Sequence, residues 1–155
     1  MKVAIGQDSH RIDYENTSKK LILGGVEFEE NFSLLANSDG DVVLHAITNA
    51  ISGITCKNIL GKISDDMCLK EGITDSEAYV KEALKYLSEK IVHISMTIEC
   101  KEPKISPKIE EMRKNIARIL NINENSVGIT ATTGEGLTEF GKGNGISVFV
   151  ILTVE

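Results

Sequence analysis

Residues 91–100 read Ile91-Val-His-Ile-Ser-Met-Thr-Ile-Glu-Cys100. Val92, Ile94, Met96, Ile98 and Cys100 fall on even positions, and His93, Ser95, Thr97 and Glu99 on odd ones. Successive side chains of a strand point to opposite faces, so this period of two predicts a half-buried strand. Downstream, Ser106-Pro107 sets a capping residue before a proline at the first helical position. Ile109, Met112, Ile116, Ile119 and Leu120 then recur at helical spacing, which predicts a helix to about Leu120. Upstream, Thr74-Asp-Ser-Glu77 reads as a capping box opening a helix whose inner stripe is Val80, Ala83, Leu84 and Leu87. Val127–Thr133 and Ile146–Val154 read as two further strands. Strands alternating with helices predict a single-domain α/β sandwich over residues 1–155, a mixed β-sheet with helices on one face. The other face, carrying Ser95 and Thr97, is left either to solvent or to an oligomer axis.

The first half fits the same plan. Val3–Ile5 predicts a short strand, and Leu21–Phe28 another, interrupted at Gly24-Gly25 by a turn or bulge. A helix is expected from Ser38, with Val43, Ile47, Ala50, Ile51 and Ile54 facing the core. The chain has 155 residues, 17 basic and 23 acidic, a net charge of −6, and 41% apolar residues. That is enough to bury a core and too apolar for a disordered chain. The acidic balance argues against nucleic acid or a membrane surface as partner, and no apolar run is long enough to span a bilayer. Cys56, Cys68 and Cys100 show no paired spacing. With no signal-like N-terminus, a reduced, cytoplasmic chain is expected.

Four segments carry candidate chemistry. Asp8 and His10 stand two apart beyond the first strand, so in extended chain they share a face; a capping Asp and a surface His in a turn is the alternative. In Asn37-Ser-Asp-Gly-Asp-Val-Val-Leu-His45, Ser38 or Asp39 can cap the helix, and Asp41 suits its first turn. His45 lies off the apolar stripe, beside Asp41, Thr48 and Ser52. Asp8, His10 and His45 with one open position form the donor set of a tetrahedral catalytic zinc site. The N–H groups at the start of this helix, next to Ser38, suit a phosphate, or are an ordinary cap. Ala131-Thr-Thr-Gly-Glu135-Gly offers hydroxyls, close backbone approach and a carboxylate for Mg²⁺ on a diphosphate. Lys104, in Glu102-Pro-Lys-Ile-Ser-Pro107, can meet a phosphate or a base edge, or is a plain loop lysine. Gly136–Gly143 imitates a phosphate-binding P-loop but ends in Lys142-Gly143 and leads into a strand, so that reading is rejected.

In their order and spacing, these segments resemble the 2-C-methyl-D-erythritol 2,4-cyclodiphosphate synthase family. Leu23-Gly-Gly25, Gly61-Lys62 and Gly141-Lys-Gly-Asn-Gly145 add to the resemblance. It implies a homotrimer with active sites between subunits. Asp8, His10 and His45 would bind zinc or another divalent metal, and Glu135 Mg²⁺ or Mn²⁺. The neighbouring subunit would hold the cytidine diphosphate end of the substrate with Pro103, Lys104, Ile105, Ala131, Thr132 and Thr133. The resemblance also implies catalytic roles for Thr133 and Asn37, and substrate contacts from Asp8, His10, Ser38, Asn58, Gly61, Asp66 and Lys142. The implied reaction closes 4-diphosphocytidyl-2-C-methyl-D-erythritol 2-phosphate into a cyclic diphosphate and releases CMP.

The chain departs from the family pattern at several points. Asn37 stands where the family usually has His, and Asn58-Ile-Leu-Gly61 where it has an Asp before the Gly. Ser64-Asp65-Asp66 replaces Pro-Asp in the expected mobile flap. Lys142 replaces an Arg, with Phe140 displaced by one position. The alternatives are a zinc phosphoesterase acting on another nucleotide, and a non-catalytic nucleotide- or isoprenoid-binding trimer.

Overall fold

The computed structural model describes residues 1–155. Its centre is β7 (Gly145–Val154), which pairs antiparallel with β1 (Lys2–Asp13) on one side and β5 (Ile91–Glu99) on the other. Ile146, Val148, Val150, Leu152 and Val154 are fully buried on one face of β7. Each such side chain contributes roughly 1.5–3 kcal/mol by leaving water, so this strand anchors the core. β6 (Val127–Thr132) runs parallel to β5, and β4 (Ser33–Leu34) pairs with the end of β1. The five-stranded order is β4-β1-β7-β5-β6, a mixed sheet as expected. β2 (Leu21–Leu23) and β3 (Val26–Phe28) form a separate hairpin. It turns at Gly24 and Gly25, whose φ values of 63° and 75° favour glycine.

The helices are α1 (Val42–Thr55), α2 (Lys62–Leu69), α3 (Ser76–Leu84) and α4 (Ile109–Leu120). α1 lies across β1 and β7. The two backbones meet at Gly6, where a Cβ would collide with the carbonyl of Ala46 and the amide of Ala50. Glycine at this position lets α1 settle on the sheet and brings His45 over β1. No helix is long and apolar enough to cross a membrane.

Several expectations are corrected. The first strand runs to Asp13, so Asp8 and His10 lie within it and not in a turn. Its polar run Gln7–Arg11 carries no apolar alternation; pairing with β7 from Lys2 opposite Val154 to Arg11 opposite Gly145 makes it a strand. α1 starts at Val42, and its cap is Asp41, not Ser38 or Asp39. Asp41 is fully buried, accepting from the N–H groups of Leu44 (3.0 Å), Gly24 (2.9 Å) and Gly25 (2.6 Å). This helix start thus carries the ordinary cap that stood as the alternative to a phosphate seat. The cap of α3 is Asp75, which accepts from Glu77 N, rather than Thr74. A 3-10 turn over Ser106–Lys108 precedes α4. Val92 sits at a bulge and is exposed, not inward. The segment expected as a flap loop is helical, α2.

Candidate metal centre and nucleotide cavity

β1 presents Asp8 and His10 on its helix-facing side, and α1 lowers His45 onto them. The three donor atoms converge. Asp8 Oδ2 lies 2.9 Å from His10 Nε2 and 3.1 Å from His45 Nδ1, and the two nitrogens are 3.0 Å apart. Ligands about 2.0–2.1 Å from a tetrahedral ion stand about 3.3 Å from one another, so a small expansion of this triangle seats one.

The outer hydrogen bonds fix what the triangle offers. His10 Nδ1 faces the carbonyl of Leu35 at 3.3 Å, an acceptor only, so that nitrogen carries the proton. His45 Nε2 lies 2.9 Å from Ser76 Oγ. When the outer nitrogens of both neutral rings carry the proton, two imidazole lone pairs and a carboxylate oxygen point at one another. A proton on either inner nitrogen satisfies that arrangement, and so does a divalent metal ion, which neutral imidazoles with a carboxylate fit. With protons rather than a metal ion on the inner nitrogens, burial pushes the Asp8 carboxyl up, but hydrogen bonds and positive charge from His10 and His45 outweigh it and hold it at about 2.

Beside the triangle is a cavity of ≈ 180 Å³ lined by His10, His45, Asn37, Ser38, Asp65 and Cys68, among others. Lys19 Nζ donates to the carbonyls of Leu34 and Ala36 at 2.9 and 3.2 Å and so braces the segment that carries Asn37 and Ser38. α2 closes the far wall. It turns Asp65 to the cavity, while Asp66 pairs outward with Lys62 and Lys70 at 3.3 and 3.1 Å. Of the two, Asp65 and not Asp66 lines this cavity. Asn58 is exposed, and neither it nor Gly61 lines this cavity.

A second cavity of ≈ 210 Å³ brings together Pro103, Lys104, Ile105, Ala131, Thr132 and Thr133. Thr133 Oγ1 accepts from Glu135 N at 3.4 Å, in a turn where Glu135 has a φ of 54° and is exposed. Lys142 pairs with Glu139 at 3.5 Å, outside both cavities. The two cavities share no residue. They lie on one row of the sheet: Asp8 opposes Val148, Val148 opposes Ile98, and Ile98 opposes Ala131. Three strand spacings of about 4.8 Å put the backbones of Asp8 and Ala131 about 14 Å apart within one chain.

Residues 1–155 match the family model described as the YgbB family. The chain belongs to the YgbB family. The YgbB chain is 52% identical over 155 aligned residues to 2-C-methyl-D-erythritol 2,4-cyclodiphosphate synthase from Chlamydia caviae, covering 99% of this chain and 88% of that one. A solved 2C-methyl-D-erythritol-2,4-cyclodiphosphate synthase superposes with a TM-score of 0.88 at 25% identity, covering 99% and 100% of the two chains. An IspF from Plasmodium falciparum, in complex with CDP, gives a TM-score of 0.80 at 27% identity, covering 99% and 94%.

The sequence pattern did not disclose Ser76, Asp39 or Cys68 as neighbours of the YgbB site, and within the expected flap it favoured Asp66 over Asp65. One signal was available. Asp75-Ser76 offers two capping residues at one helix start, and only one can cap.

Proposed function

We propose that this chain is the cyclodiphosphate synthase itself. It closes 4-diphosphocytidyl-2-C-methyl-D-erythritol 2-phosphate to 2-C-methyl-D-erythritol 2,4-cyclodiphosphate with release of CMP, as a phosphorus–oxygen lyase of non-mevalonate isoprenoid synthesis. The observation that carries it is the Asp8–His10–His45 triangle, with its lone pairs directed inward, in a chain that belongs to this family.

In the reaction an oxygen of the 2-phosphate bonds to the β-phosphorus. The bond from that phosphorus to the bridging oxygen breaks, and CMP departs with that oxygen. The nucleophile is already an anion, so no strong base is required of the protein. The work is positioning and charge neutralisation, and holding the two ends together is worth on the order of 7–11 kcal/mol in favourable cases. Zinc on Asp8, His10 and His45, and Mg²⁺ or Mn²⁺ on Glu135, would polarise phosphate oxygens and offset repulsion between anions. Asn37 and Ser38 border the metal cavity and supply hydrogen-bond donors to phosphate. Asn37 does so without the positive charge a histidine can carry. Lys104 brings a cation to the nucleotide end, and the hydroxyls of Thr132 and Thr133 donate there.

The active assembly is a homotrimer with sites between subunits, and two features support this. Val3, Ile5, Phe149 and Ile151 are 62%, 64%, 47% and 51% exposed on the open sheet face, with Ile5 opposite Ile151. Such a cluster suits burial against another subunit. The spacing of about 14 Å across the sheet between the Asp8 and Ala131 backbones also favours joining the metal centre of one chain to the nucleotide cavity of the next. The chain works as one domain over residues 1–155, in the cytoplasm.

The test is direct. Purified protein incubated with the substrate yields CMP and the cyclic product when divalent metal is present, and neither after chelation. A linear monophosphate product indicates a phosphoesterase. CDP binding without CMP release indicates a non-catalytic nucleotide-binding trimer.

A further inference from the structure

Ser76 is the first residue of α3 and is fully buried, although Asp75 before it already caps the helix. Its hydroxyl is used elsewhere. Ser76 Oγ stands 2.9 Å from His45 Nε2 and donates to Asp39 Oδ1 in a short hydrogen bond. Asp39 is held for this role from its own loop. Its Oδ1 accepts from Asp41 N at 3.0 Å, its Oδ2 from Ser76 N at 3.0 Å, and its backbone N–H donates to Thr74 O at 2.9 Å. A serine hydroxyl has one proton, and a carboxylate only accepts. The proton therefore goes to Asp39, and the remaining lone pairs of Ser76 must accept from His45 Nε2–H. Ser38 Oγ, at 3.4 Å from the same nitrogen, is a weaker second partner.

We propose that Asp39 and Ser76 are positioning residues that lock His45 into the tautomer with Nε2 protonated, so that its Nδ1 lone pair is directed at a metal ion shared with Asp8 and His10. This inference rests on the metal reading of those three residues. The carboxylate polarises the hydroxyl, the hydroxyl holds the ring, and the ring gains basicity at the metal-facing nitrogen. Outer partners of metal-bound histidines ordinarily tune affinity in this way. The device joins three elements: the loop before α1, the start of α3, and α1 itself. A site built on one strand and one helix thus gains a third support.

Ser76→Ala separates this role from a structural one, because the backbone bond from Ser76 N to Asp39 Oδ2 does not need the hydroxyl. In the 155-residue chain, competition with a chromophoric chelator is expected to show Zn²⁺ binding weakened about 10–100-fold. The absorption bands of the Co²⁺-loaded protein should also shift, while the unfolding midpoint of the metal-free protein stays where it was. Ser76→Thr, which restores a hydroxyl, should recover most of the affinity. Asp39→Asn should weaken binding in the same direction, and it serves as the readout if Ser76→Ala does not fold. Zinc affinity and cobalt spectrum unchanged in Ser76→Ala, or in Asp39→Asn, overturn the proposal. So does a Ser76→Thr protein that binds as weakly as Ser76→Ala. His45→Ala marks the other failure: if it binds zinc as tightly as the unaltered chain, the metal reading is wrong and the inference falls with it.

Discussion

His10 Nε2 and His45 Nδ1 stand 3.0 Å apart, one on a strand and the other on a helix 35 residues away, and each ring's outer nitrogen has its own partner. Two basic nitrogens this close, with a carboxylate oxygen against both, are mutually repulsive unless a cation lies between them. His10→Ala or His45→Ala should therefore strip the bound divalent ion and lower CMP release by orders of magnitude. The far-ultraviolet circular dichroism should stay close to that of the parent. Metal content after dialysis is the measurement; a full equivalent of tightly held zinc in either variant contradicts the ligand assignment.

Gly6 ties the fold to the site. A methyl group there meets backbone atoms of Ala46 and Ala50, with Ala50 Cα 2.9 Å away, and no rotamer change relieves it. Overpacking of a core costs typically 1–3 kcal/mol, and a clash with backbone lies at or above the upper end. Gly6→Ala should thus destabilise the chain by about 3 kcal/mol in urea unfolding. It should also weaken metal binding, because moving α1 off β1 moves His45 away from Asp8. A variant destabilised to that extent but with unchanged zinc affinity would show that the triangle does not depend on this close approach.

Much of this was legible in the residues, for physical reasons. The alternation of residues 91–100 and the stripe from Ile109 to Leu120 are burial patterns, and burial is what builds β5 and α4. The donor set Asp8, His10 and His45 was legible because few residue types bind metals and the chain has only three histidines. β1 beyond Ile5 was not legible, since its polar residues are strand only by pairing with β7. The start of α1 was misplaced because Ser38, Asp39 and Asp41 are all good caps. What selects Asp41 is the distant hairpin turn at Gly24-Gly25, whose amides it binds. Ser76 and Asp39 lie 37 residues apart, and no local pattern joins them.

Asp41 gives a pH prediction of definite sign. Burial, together with the charge of Asp39, raises its carboxyl from 3.8 to about 6, against the opposing pull of the Leu44, Gly25 and Gly24 amides. A value higher in the folded than in the unfolded chain means that the folded state binds more protons between about 3.8 and 6. Stability from this group is therefore fully present below that window and falls as pH rises through it, by up to about 3 kcal/mol for a shift of roughly two units. Asp8 is shifted the other way, and its window lies below 3.8. Urea unfolding of the metal-free protein from pH 4 to 7, compared with Asp41→Asn, should show this slope in the parent and not in the variant. Parallel curves would mean that the carboxyl is ionised throughout.

The last prediction separates the metal centre from the assembly. The three candidate metal ligands come from one chain, whereas a complete site on this reading needs the nucleotide cavity of a neighbour. Phe149 and Ile151 are 47% and 51% exposed on the open sheet face, and neither touches the helical core. Changing both to lysine should cost little folding stability in the isolated chain, since exposed positions usually tolerate substitution within about 0.5 kcal/mol. It should nevertheless prevent association, because burying two ammonium groups against an apolar surface is strongly unfavourable. Sedimentation should report a monomer that still binds one zinc ion and releases no CMP. Full turnover by that monomer would place both halves of the site on a single chain, and the 14 Å separation along the sheet would then have to be closed within it.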